Sequence, residues 1–224
     1  MELIAYPDRE FLAMDLANKL AGELNTALMT HDVVGFAVPG GTTPGPVFDT
    51  LSAADLDWDR VKVFLTDERW VPESSDRSNA RLVRERLLTG RASAAEFIPY
   101  YDGGPLTDAA VASAADRIAA YLPLSVLVLG MGGDMHTASL FPGADRLDAA
   151  LSDDAPALMA LTAPGAPEPR ITLTAPVLQA AMSTRILITG RDKRDALEQA
   201  ARVDDPRLAP VSVVLDTATV HWAE

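Results

Sequence analysis

The sequence predicts an α/β fold: a mainly parallel sheet with helices on both faces. Three observations carry that prediction. Short apolar runs stand at 33–38, 61–65, 124–129 and 185–189. Stretches of helical period separate them, and glycine- or charge-bearing segments directly follow them. Strands that alternate with amphipathic helices are joined by crossovers, and crossovers leave neighbouring strands parallel. A chain of 224 residues, 48% hydrophobic and 23% charged, is sufficient for a sizeable core, and one domain over 1–224 is expected.

The elements follow in order. Asp8 can cap a helix running to about position 30, with Leu12, Leu16, Leu20, Leu24 and Leu28 along its apolar side. The run 33–38 reads as a buried strand. Pro39-Gly40-Gly41 turns the chain, and Thr43-Pro44 opens a helix with proline at its first position. The next strand, 61–65, leads into a loop, Thr66-Asp67-Glu68-Arg69, and Ser78 begins another helix. Thr107 starts a helix whose apolar positions are Val111, Ala114, Ala115, Ile118, Ala119 and Leu122. The strongly apolar strand 124–129 ends in Gly130-Met131-Gly132-Gly133. Shorter strands are expected at 157–161 and 170–174, joined by a connection rich in Pro, Ala and Gly. The strand 185–189 precedes Gly190 and a helix over about 192–201. The run 211–215 is expected to be the last core strand, with 219–222 as a further pairing segment.

Composition removes several classes of function. The chain has no Cys, which excludes disulfides, thiolate metal sites and thiol catalysis. Its start, Met1-Glu2-Leu3-Ile4, lacks the basic and apolar pattern of a signal peptide, and no apolar stretch is long enough to cross a bilayer. A cytoplasmic protein with no membrane partner is therefore expected. The formal net charge of −13 opposes binding to nucleic acid, which needs a basic footprint. An anionic ligand would need cations and backbone N–H groups gathered at a defined site.

Four segments can carry chemistry. In parallel sheets ligands sit outside the carboxyl ends of the strands, so the loops at Gly40, Asp67, Gly130 and Gly190 are expected to meet at one edge. In the first, Gly40 and Gly41 permit close backbone approach, and Thr42 and Thr43 offer hydroxyls before a helix start. That pattern suits a phosphate, and it equally suits a tight strand-to-helix turn. It is no Walker loop, because Gly-Lys-Ser/Thr is missing. In the second, Asp67 and Glu68 are candidates for proton transfer and Arg69 for anion binding through its planar fork, against the alternative of a solvated loop. The third holds His136, the one histidine of three that follows a glycine-rich strand end; a structural histidine is the alternative. A dinucleotide fingerprint fails there, because Met135 stands where its third glycine would be. In the fourth, Arg170 and Lys193 can hold a phosphate from two sides, or be ordinary surface charges.

Taken in order, GGTTP at 40–44, TDERWVP at 66–72, SN at 78–79, LGMGGDMHTASLFPG at 129–143, RITLT at 170–174 and GRDK at 190–193 resemble the 6-phosphogluconolactonase family. The resemblance spans roughly 33–201. It implies a Rossmann-like fold and hydrolysis of 6-phosphoglucono-δ-lactone to 6-phosphogluconate in the pentose phosphate route, with no metal or nucleotide cofactor. It also implies that Gly40, Gly41, Thr42, Thr43, Arg170 and Lys193 engage phosphate. His136 matches the catalytic histidine, Arg69 the active-site arginine and Asp134 the aspartate of the central segment. Two positions depart from the family. Pro39 replaces the usual Ser, and Met135 replaces the usual Gly between Asp134 and His136. If position 135 needs a positive φ, Met costs about 1 kcal/mol or more there. If the glycine makes room for substrate, Met crowds the pocket, and restoring Gly would raise efficiency.

Ser139 is a poor nucleophile candidate, because no Gly-x-Ser-x-Gly elbow surrounds it. Two other functions stay open. An amino-sugar-phosphate isomerase/deaminase resembles this family, but usually follows its His with Phe-Asn-Glu-Pro; here Thr137-Ala138-Ser139-Leu140-Phe141-Pro142 stands, without that acid. A non-catalytic sugar-phosphate sensor would bind without turnover. A monomer is expected, with an oligomer as the alternative.

Overall fold

The computed structural model describes residues 1–203 and 205–224. Its framework is a seven-stranded sheet in which every pairing is parallel. The strands are β1 (Glu2–Ala5), β2 (Val34–Val38), β3 (Val61–Leu65), β5 (Glu96–Phe97), β6 (Val126–Leu129), β9 (Thr184–Thr189) and β10 (Thr219–Ala223). Their spatial order is β1-β10-β9-β6-β2-β3-β5. Every residue of β2 and β6 is buried, which requires cover on both faces of the sheet. A second, antiparallel sheet of order β4-β8-β7 stands beside it, from β4 (Asp67–Arg69), β7 (Leu158–Leu161) and β8 (Arg170–Leu173).

Cover comes from helices whose starts were legible. Helix α1 (Arg9–Leu28) is capped by Asp8, whose carboxylate accepts from the Phe11 N–H at 2.7 Å, and it buries Leu12, Leu16, Leu20, Leu24 and Leu28. The remaining long helices are α3 (Asn79–Arg86), capped by Ser78, α4 (Asp108–Ile118), capped by Thr107, and α7 (Arg191–Ala200). Shorter ones are α2 (Gly45–Leu51), α5 (Leu147–Leu151), α6 (Ala175–Gln179) and α8 (Ser212–Leu215). Among the described residues, no helix is long and apolar enough to cross a membrane.

Four local expectations need correction. Residues 211–215 do not form the last core strand: Ser212–Leu215 is helix α8, and Thr219–Ala223 is the strand, paired between β1 and β9. A short apolar, β-branched run is ambiguous by period alone, and pairing partners decide it. The segment expected as a loop, 66–69, is largely strand β4, because β8 lies antiparallel against it. Strands β7 and β8 consequently leave the parallel sheet altogether. Helix α2 begins at Gly45, with Pro44 at its cap rather than at its first turn.

The buried His221 has a structural role. Lys19 donates to Asp15, the Tyr6 hydroxyl also donates to Asp15 at 2.5 Å, and His221 Nδ1 meets the same hydroxyl at 2.7 Å. The hydroxyl has one proton, so Nδ1 carries the hydrogen and His221 is a neutral donor. Burial pushes this imidazole down to about 4 from 6.5, helped by Arg185 and Lys19 and opposed by Asp15. Its folded value lies below its unfolded one. The stabilisation is therefore complete above about pH 6.5 and is lost as pH falls toward about 4. We expect stability to fall across this window by up to about 1.4 kcal/mol per pH unit, lowering Tm, and His221→Asn to flatten the slope. Tm measured against pH decides it, and equal slopes in both proteins would refute the assignment.

Candidate active site

The chain order reverses between β2 and β6. After β2 the chain builds outward through β3 to β5; from β6 it builds the other way through β9 to β10. Such a switch point opens a crevice at the carboxyl ends of the two strands. A cavity of ≈ 330 Å³ sits there. Gly40, Gly41, Thr42, Thr43, Arg69, His136, Arg170 and Lys193 all line it. The four segments that looked separate in sequence thus meet at one place. Asp134 does not line the cavity and stands behind His136.

The 130–143 loop aims the histidine. His136 Nδ1 lies 2.5 Å from Asp134 Oδ1, and the Asp134 carboxylate also accepts from the His136 backbone N–H at 3.3 Å. That hydrogen bond holds the Asp134 carboxyl below the usual carboxylate range, against the cost of burial. An ionised Asp134 accepts the Nδ1 proton and leaves Nε2 with its lone pair. Gly132 makes this approach possible: a Cβ there would fall 2.0 Å from His136 Nδ1 and 2.2 Å from Asp134 Oδ1. The His136 carbonyl accepts from the Gly132 N–H at 2.9 Å, closing the turn. Ser139 is buried and donates to Asp67 Oδ2 at 2.5 Å, so its oxygen is a brace between loop and strand rather than a nucleophile.

Cations gather opposite. In the β4–β8 register Arg69 pairs with Arg170, which places two guanidinium groups on neighbouring strands. Among the described residues, neither Nε has a hydrogen-bond partner, and both are buried. Asp67 lies 3.8 Å from Arg170 through Oδ2 and Nη1. Burial lowers the Arg170 pKa; Asp67 opposes that and Arg69 adds to it. Two like charges beside one carboxylate leave net positive charge at the cavity wall, where an incoming anion is favoured. Lys193, on the first turn of α7, brings its Nζ to 3.9 Å from the place of a Cβ on Gly133. A local excess of cations thus exists within an acidic chain.

Glu68 does not line the cavity. Its carboxylate accepts from the backbone N–H groups of Arg69, Asn79 and Ala80, each at 2.8 Å, and from Ser78 Oγ at 3.1 Å. It is a buried staple across the start of α3. Burial pushes its carboxyl up, and the Asn79, Ala80 and Arg69 N–H groups pull it down. The sequence left Asn79 without a role. Its amide donates to the Asp67 carbonyl at 2.8 Å and lines the cavity. Gly40 leaves the space it occupies, since a Cβ on Gly40 would lie 1.9 Å from Asn79 Oδ1. Thr66, Met131, Ala138 and 187–189 at the end of β9 also line the cavity, although the sequence assigned none of them an individual role.

Met135 resolves into one expectation kept and one corrected. Its φ is +65°, the left-handed region where glycine is at ease, and Ala138 follows at +49°. Its side chain packs against the core and does not line the cavity, so it does not crowd a substrate. Met135→Gly removes a backbone cost of about 1–2 kcal/mol but adds unfolded-state freedom worth about 0.5–1 kcal/mol and loses packing. We expect little net change in Tm and an unchanged kcat/KM. A rise in efficiency of about tenfold would show that Met135 misplaces the reacting groups.

Among the described residues, no group of three or more His, Asp or Glu is placed to hold a metal ion. Residues 7–222 match the family described as glucosamine-6-phosphate isomerases/6-phosphogluconolactonase. A 6-phosphogluconolactonase of Mesorhizobium japonicum is 44% identical over 226 residues, covering 98% of this chain and 94% of that protein. One from Rhizobium meliloti is 41% identical, covering 95% and 94%. The crystal structure of a 6-phosphogluconolactonase from Shewanella baltica superposes with a TM-score of 0.96 at 34% identity, over 100% of this chain and 98% of that one. A monomeric glucosamine-6-phosphate deaminase shares the fold alone, with a TM-score of 0.82 at 14% identity. With the match running over almost its whole length, the chain belongs to the glucosamine-6-phosphate isomerase/6-phosphogluconolactonase family.

Proposed function

We propose that this protein hydrolyses 6-phosphoglucono-δ-lactone to 6-phosphogluconate, as a lactonase of the pentose phosphate route. One observation carries the reading: His136, held at Nδ1 by Asp134, lines the same cavity as Arg69, Arg170 and Lys193. The lactone is an activated ester, so the machinery it needs is modest. His136 Nε2 takes a proton from water as that water attacks the carbonyl carbon, and Asp134 steadies the imidazolium. Arg69 stabilises the negative charge on the tetrahedral intermediate. The protonated His136 then gives its proton to the ring oxygen as the carbon–oxygen bond breaks. Arg170, Lys193 and the Gly40–Thr43 loop hold the phosphate, which positions the carbonyl against the base. The curated relatives named for this activity support the substrate.

The test is an initial-rate lactonase assay, corrected for the spontaneous opening of the substrate. Glucosamine 6-phosphate serves as the control, because the fold is shared with a deaminase. Acceleration of lactone opening without ammonia release is expected. A corrected rate of zero would falsify the proposal.

A further inference from the structure

One side chain in the 130–143 loop touches both halves of the machinery without reaching the cavity. The Phe141 ring centroid lies 4.0 Å from that of His136, with the planes 29° apart. The Arg170 guanidinium carbon lies 5.2 Å from the same centroid. Phe141 is partly buried and is not among the residues that line the cavity. Its backbone approach is braced. Leu140 is fully buried, and its N–H donates to the Thr137 carbonyl at 2.9 Å. The Ser139 N–H donates to Thr172 Oγ1 at 3.1 Å, and the Ser139 hydroxyl donates to Asp67. These bonds tie the base of the ring to the strand pair that carries Arg69 and Arg170.

We propose that Phe141 is a positioning residue that aligns the base and one anion-binding cation through a single His136–Phe141–Arg170 stack, an assignment that rests on the lactonase reading above. The physical need is specific. Asp134 fixes one edge of the imidazole, but a single hydrogen bond leaves rotation about its own axis. A flat face 4.0 Å away removes that freedom and directs Nε2. Arg170 has the matching problem, with an Nε that no acceptor among the described residues holds. An aromatic face orients a guanidinium plane while leaving its N–H groups for a ligand. An aliphatic side chain of similar volume would fill the space and orient neither.

The experiment compares Phe141→Leu and Phe141→Tyr with the wild type, in the full chain, with and without Arg170→Ala. In Phe141→Leu the His136 ring protons should move downfield in NMR as the ring current disappears. The lactonase kcat should fall about tenfold, and the Kd for 6-phosphogluconate should rise about threefold. Phe141→Tyr, which keeps the ring, should restore all three. In the Arg170→Ala background, Phe141→Leu should no longer change Kd but should still lower kcat, a split that general loosening of the loop would not produce. If the Leu variant does not fold, Phe141→Met replaces it with the same expected outcomes. Wild-type kcat in the Leu variant, or a loss of affinity that is the same with and without Arg170, overturns the stack alone. Absence of lactonase activity in the wild type overturns the functional reading and the stack with it.

Discussion

His136→Asn is expected to fold as the wild type does and to lose about 10²–10⁴-fold in lactone turnover, the usual contribution of a positioned general base. Fold should survive because the side chain lies at a cavity wall and its bond to Asp134 is part-exposed, not a core contact. Asn can still donate toward Asp134, so the turn that begins at Gly132 keeps its hydrogen bonds. What Asn lacks is a nitrogen able to accept a proton near neutral pH. Affinity for 6-phosphogluconate should change far less than kcat, because the proposed phosphate ligands are untouched. A thermal melt, a calorimetric Kd and corrected initial rates together test this. Near wild-type turnover by a folded His136→Asn protein removes the histidine from the chemistry and leaves Asp67 as the remaining candidate base among the described residues that line the cavity.

Arg170→Ala and Lys193→Ala should each weaken 6-phosphogluconate binding by roughly 10–150-fold, the equivalent of one charge-assisted hydrogen bond at about 1.5–3 kcal/mol. The chain carries a net charge of −13, so a phosphate approaches against the global field and depends on cations held at the cavity. The two variants differ in their side effects. Lys193 sits on the first turn of α7, and its removal should act on binding alone. Arg170 also faces Asp67 at 3.8 Å and Phe141 at 5.2 Å, so its loss should lower Tm as well. Calorimetry at two salt concentrations measures both, and the deficit should shrink as salt screens the wild-type site. Unchanged affinity in both proteins would move the phosphate to another part of the cavity.

How far the sequence could be read follows from where its signals are local. Caps at Asp8, Ser78 and Thr107 were legible because a capping side chain bonds to N–H groups three residues on. The leucine ladder of α1 and the buried strands β2, β3 and β6 were legible because burial on one stripe or on both faces leaves its period in the chain. Several site segments were legible for a related reason: the glycine-bearing loops at 40, 130 and 190 and His136 follow the ends of β2, β6 and β9, and a parallel sheet brings strand ends together. What stayed hidden was set by partners far away in sequence. Strand β4 exists because β8 pairs with it a hundred residues later, which turned an expected loop into the carrier of Arg69 opposite Arg170. Glu68 looked like an acid for proton transfer until the start of α3 was seen to occupy its carboxylate. Run 211–215 was expected as a strand and is helix α8, because apolar, β-branched residues fit either state until a neighbour is chosen. By itself the sequence determined most of the local elements, the parallel sheet and the segments that supply the candidate site residues. Only the tertiary structure decided their mutual geometry, down to Phe141 stacked on the histidine, because hydrogen-bond partners and ring contacts are made between residues whose separation along the chain carries no periodic trace.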